Sequence, residues 1–122
     1  MKQDELKSAT IPEINAKYEI EVIANGLARM NGDAHAANAA YDFVWLCSKE
    51  LKSRGPDAQR SLLPLLNHDD PQVRLCAAKD ALDFAPDLGL GELEQLARSK
   101  FVWALDAQLI LSEWKQGTLK FP

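Results

Sequence analysis

The stretch Asn67-His68-Asp69-Asp70, with Arg74 four residues further on, combines the side-chain types from which general-base and metal chemistry is built. A histidine beside two carboxylates could accept a proton. Catalysis would also need a nucleophile or a metal within reach and a carboxylate to orient the ring. His35 and His68 are the only histidines, and neither has a second ligand one helical turn away. Cys47 and Cys76 do not group with them, so the three or four ligands of a zinc site are not assembled. The stretch reads as a polar turn whose aspartates cap a helix, and no catalytic residue, cofactor or metal is assigned.

A second chemical possibility is Asp87-Leu88-Gly89-Leu90-Gly91-Glu92, which has the look of a glycine-rich phosphate loop. Such a loop needs a preceding strand and a lysine followed by serine or threonine. Neither is present, and Asp87, Glu92 and Glu94 would repel a phosphate, so this reading is rejected.

Arg74 is unusual because Val73, Ala77, Ala81, Phe84 and Ala85 surround its angular position on a helix. It could face an anion or a protein partner. It could equally pair with Asp69, Asp70 or an adjacent carboxylate while its stem packs on apolar neighbours, and this structural role is the favoured one. The last helix carries a related puzzle. Trp103, Ala104, Ala107, Ile110, Leu111 and Trp114 form one apolar arc suited to a core. Phe101, Val102, Leu105 and Leu109 form a second, with Asp106 and Glu113 between the two. A terminal helix facing water does not need two apolar sides. Either the preceding helix covers the second side or a partner does. The candidate partner surface is therefore Arg74, Phe101, Val102, Leu105 and Leu109, and a homodimer through the last helix is one way to cover it.

The elements that position these residues are helical. Pro12 is a good first helical residue, and Ala16, Ile20, Ile23, Ala24, Leu27 and Met30 share a face expected to be buried. Asn31-Gly32-Asp33 should end that helix and let Asp33 cap the next, which runs from Ala34 to about Arg54. Its stripe is Ala36, Ala40, Phe43, Val44, Cys47 and Leu51. Gly55-Pro56 opens a third helix reaching about Asn67, which Pro64 should bend. Pro71 opens a fourth, to about Ala85. Gly89 and Gly91 should delay a fifth until about Glu92, and the sixth is expected from about Lys100 to Gln116, ended by Gly117. Residues 1–11 read as a flexible arm or short helical lead-in. No segment alternates with period two, so the fold class is all-α, with about six antiparallel helices in a single domain, 1–122.

Composition narrows the function. Apolar residues are 47% of the chain and charged residues 26%, as in ordinary globular proteins. A net charge of −4 argues against general nucleic-acid binding, which needs a dense basic face. No stretch approaches the roughly 20 apolar residues of a membrane span, and the polar N-terminus lacks the core of a signal peptide. Cys47 and Cys76 sit in apolar helical patterns and read as free thiols. A cytoplasmic location is expected.

The segment Leu62–Leu82, "LLPLLNHDDPQVRLCAAKDAL", resembles a HEAT repeat. The matching features are the leucines with Pro64, the turn "DDPQVR", and Ala77, Ala78, Ala81 and Leu82 in the second helix. The wider layout, with its "GPDAQRSLLPLL" opening, is similar to a family of small bacterial HEAT-like domains of uncharacterised role. That resemblance implies an α–α superhelix, a short solenoid, and no assigned activity. One position departs from the pattern. HEAT repeats usually carry an aspartate six residues before the helix arginine, and here that position is His68, so Asp69 or Asp70 would have to substitute. The expected function is a non-enzymatic protein–protein interaction module with an unknown protein partner, and with neither nucleic acid nor membrane as partner. The alternatives are an antidote-like inhibitor of a basic toxin or nuclease and, less favoured, a HEAT-like nucleic-acid-repair enzyme.

Overall fold

The computed structural model describes all residues, 1–122, as six α-helices and two short 3-10 segments without a strand. The helices are α1 (Ile11–Met30), α2 (Ala34–Ser53), α3 (Pro56–Arg60), α4 (Pro71–Ala81), α5 (Pro86–Ala97) and α6 (Ala104–Gln116). They fall into two compact units, Met1–Ser61 with Pro122, and Leu62–Phe121.

The first unit is built on a helical hairpin. Thr10 starts α1 with a reciprocal capping box. Its hydroxyl accepts from Glu13 N at 3.2 Å, while the Glu13 carboxylate accepts from Thr10 N at 2.9 Å. The expectation of a start at Pro12 missed this Thr-x-x-Glu signature. After the Asn31-Gly32-Asp33 turn, the Asp33 carboxylate accepts from Ala36 N at 3.0 Å and caps α2 as anticipated. Ala37, Ala40, Val44, Cys47 and Leu51 are buried along α2, one position from the expected stripe at its start.

For α1 the expected buried face is corrected. Ile14, Tyr18 and Val22 are buried, whereas Ile20, Leu27 and Met30 are exposed. Both faces are apolar at helical spacing, and hydrophobicity alone cannot choose between them. The choice goes to the side that buries the large Tyr18 ring and lets Asn25 donate to Ala37 O in α2, at 2.8 Å. The N-terminal residues are also more ordered than an arm. Gln3–Ser8 form a 3-10 turn with Leu6 buried, and Arg54 Nη2 donates to Leu6 O at 2.9 Å.

In the second unit Pro64 does more than bend a helix. It lacks an N–H and its ring would clash with the carbonyl four residues back, so α3 stops at Arg60 and Leu63–Asn67 continues as 3-10. Asp70 caps α4 by accepting from Gln72 N at 2.8 Å. The core gathers Leu75 and Ala78 from α4, Leu82 at its C-cap, Leu93 and Leu96 from α5, and Ala107 from α6. Trp103, Ile110, Leu111 and Trp114 pack against it.

The expected delay of α5 is also corrected, because this helix begins at Pro86. Gly89 is a contact residue instead. A β-carbon there would lie 2.6 Å from Ala78 O, so its absence lets α5 lie directly on the α4 backbone. Gly117, with φ 73°, adopts the left-handed conformation that ends α6. Its N–H reaches Trp114 O at 3.1 Å and Thr118 N reaches Glu113 O at 3.0 Å, the paired bonds of a Schellman motif.

Candidate functional site

The polar groups of the second unit converge where the 3-10 segment, the turn before α4 and one face of α5 meet. His68 first fixes the turn itself, since its Nδ1 accepts from Asp70 N at 2.9 Å. Nδ1 is therefore unprotonated in this arrangement. Asp70 is thereby placed to cap α4, and the helix carries Arg74 one turn later. Arg74 Nε donates to Glu92 Oε1 at 3.0 Å, while Nη1 donates to the carbonyls of His68 and Asp69. The partner is thus a carboxylate of α5 rather than Asp69 or Asp70, and the position six residues back contributes its backbone oxygen in place of an aspartate side chain. The guanidinium fork suits this job, because it satisfies a carboxylate and two turn carbonyls at once.

Around this fork lies a cleft of about 420 Å³ lined by Leu66, Asn67, His68, Asp69, Arg74, Glu92, Gln95, Leu96 and Ser99. Leu66 and Leu96 are its apolar lining, and the other lining residues are polar or charged. Sequence reasoning placed Arg74 and His68 together but missed Glu92, Gln95 and Ser99. Glu92, Gln95 and Leu96 share a face of α5, with Ser99 just beyond its end, but which neighbour that face meets is not readable from the helix alone. Chemically the fork is a clamp, since two of its nitrogens are spent on structure. No group of three or more His, Cys, Asp or Glu side chains is arranged to hold a metal ion. Replacing Arg74 with methionine should cost about 1–3 kcal/mol in urea denaturation, because it leaves Glu92 and two turn carbonyls without their donor. Arg74→Lys should recover little of that loss, since an ammonium cannot fork.

The other candidate residues separate. Phe101 packs against the core. Val102 lies in the turn before α6, because the helix begins at Ala104 rather than at the expected Lys100. Ser99 holds that turn by donating to Leu96 O at 2.7 Å and accepting from Phe101 N at 3.1 Å. Val102, Leu105 and Leu109 are exposed, and α5 does not cover them.

Both cysteines are free thiols. Cys47 is fully buried, and burial pushes its thiol from the ordinary 9.0 up to about 12, with Glu21 adding to the rise and Lys17 opposing it. The unfolded chain would release this proton near pH 9, whereas the folded chain holds it to about 12. Stability from this thiol is therefore intact below pH 9 and falls above it. Comparing the alkaline denaturation slopes of wild type and Cys47→Ala should show the slope reduced in the variant.

A family model described as a domain of unknown function, DUF2019, matches residues 25–114. The chain belongs to the DUF2019 family. Every residue of the cleft, and Val102, Leu105 and Leu109 with them, lies within the DUF2019 match. Among solved structures, the crystal structure of the protein RPA1889 from Rhodopseudomonas palustris CGA009 is similar, with 30% sequence identity and a TM-score of 0.88. The likeness covers 96% of this chain and 98% of that one. No curated protein matches the chain. No helix is long and apolar enough to cross a membrane.

Proposed function

We propose that this DUF2019 chain is a non-enzymatic protein–protein interaction module that binds a protein partner through its helical surface. The observation that carries the reading is the outer side of α6 with the turn before it. Val102, Leu105 and Leu109 are 59%, 74% and 59% exposed, while Ala107 on the opposite side of the helix is fully buried. Covering such side chains is favourable by about 25 cal/mol per Å² of apolar surface, and helical modules commonly meet partners this way. The HEAT-like character of Leu62–Leu82 supports the same reading. Asp70 caps α4 just ahead of Pro71, and Arg74 ties the helix back to the turn. A HEAT-like superhelix would make this pair one unit of a short solenoid.

Covering by a second copy is the simplest version. Light scattering on purified wild type and Leu105→Glu tests it. A dimer at high micromolar concentration that the substitution dissolves supports self-association, and a monomeric wild type at that concentration ends it. The net charge of −4 favours one second reading, in which the partner is a basic protein masked by this chain, as an antidote masks a toxin.

A further inference from the structure

Gly117 ends α6, and the residues after it lie back on the second unit. Leu119 and Phe121 are half-buried and pack against its core, while Thr118 and Lys120 are exposed. Burial at every second residue is the pattern of an extended chain with one face down. The segment lies where the helices leave room, since α5 packs along both α4 and α6 and these two are not packed along each other. The Phe121 ring spans that opening. It stands at 83° to the Trp114 ring of α6, with centroids 6.4 Å apart, and its centroid is 5.6 Å from the Lys79 ammonium of α4.

Side chains alone hold this segment. The Thr118 N–H reaches Glu113 O in the helix end, and no hydrogen bond uses the backbone of Leu119, Lys120 or Phe121. A segment of that kind opens at low free energy, because only its apolar contacts must be given up. Opening it would bare two neighbouring sites of different chemistry. The place of Leu119 on the core suits an aliphatic side chain. The place of Phe121 sets a ring edge to face with Trp114 and a cation over its face, so it selects an aromatic residue.

We infer that the opening between α4 and α6 is a docking groove for an extended segment of a partner protein, with an aliphatic residue and an aromatic residue two positions on, and that residues 118–121 fill it until such a segment displaces them. The chain's own occupant names the chemistry of its competitor. The inference rests on the interaction-module reading and adds a second surface and a partner chemistry to it.

The test uses the full chain and end-blocked peptides with the sequence of residues 117–122, Gly-Thr-Leu-Lys-Phe-Pro, or with alanine in place of both Leu and Phe. Binding is followed by NMR at the Trp114 indole N–H. Phe121→Ala should bind the first peptide at least about fivefold more tightly than wild type does, because apparent affinity falls with the fraction of molecules whose groove is open. The alanine peptide should bind neither protein. Leu105→Glu should leave binding of the first peptide as in wild type. Equal affinity of wild type and Phe121→Ala, no binding by Phe121→Ala, or equal binding of the two peptides overturns the inference. So does loss of helicity by Phe121→Ala in circular dichroism, since a displaceable segment cannot be needed for the fold. A wild-type dimer that Phe121→Ala dissolves also overturns it, by making a second copy the occupant. Failure of peptide binding while Leu105→Glu still alters the assembly of the protein overturns this groove and spares the interaction-module reading.

Discussion

Gly89→Ala should destabilise the protein by about 1–3 kcal/mol, while Gly91→Ala in the same helix should stabilise it by about 0.5–1 kcal/mol. Helix propensity alone gives both substitutions the same favourable sign, because alanine loses less backbone entropy than glycine. The surroundings reverse it at one position only. At Gly89 the new β-carbon would meet Ala78 O at 2.6 Å and the Leu82 backbone N at 3.1 Å, and neither can swing aside as a side chain can. At Gly91 nothing lies within 4 Å. Helix α5 would have to lift off α4, opening the packing of Leu93 and Leu96 against Leu75, Ala78 and Leu82. Chemical denaturation of the two variants beside wild type is the measurement. Equal shifts of one sign would mean that the close approach of α4 and α5 is wrong.

Val22→Asp should cost several kcal/mol and leave the chain largely unfolded at physiological temperature, whereas Leu27→Asp should change stability by no more than about 0.5 kcal/mol. The two positions lie on the same helix, five residues apart, and both read as apolar. Val22 is fully buried, so a carboxylate there would be stripped of water without a partner. Leu27 stands in water, and a charge there loses no solvation. Thermal melts followed by circular dichroism separate the two outcomes. A severe loss at Leu27 would show that the outer face of α1 carries structural weight.

That pair also marks what was legible in the sequence. The all-helical class, the caps at Asp33 and Asp70, the α2 stripe and the stop at Gly117 follow from local chemistry. Proline, glycine and aspartate act within a turn of themselves, so no tertiary knowledge is needed to read them. The face of α1 could not be read that way, because the helix has two apolar sides. Choosing between them takes the position of α2, which supplies the carbonyl for Asn25. Gly89 was misread for a related reason. A glycine that loosens a helix start and a glycine that admits a neighbouring backbone look alike until the neighbour is placed. Half of the candidate site was visible. Arg74 stood out as a charge in an apolar arc, but its partner Glu92 lies eighteen residues away on a helix expected to start later.

The exposed faces of α1 and α6 matter only if a partner covers them in the cell. Size-exclusion chromatography of the native protein from gently lysed source cells tests this most directly, with wild type, Leu27→Asp and Leu105→Glu expressed in place and followed by the same antibody. The wild-type chain should elute well above its own 13.5 kDa, and at least one of the two variants should return to the monomer position while remaining folded. Elution of wild type and both variants alike at 13.5 kDa would contradict the interaction-module reading.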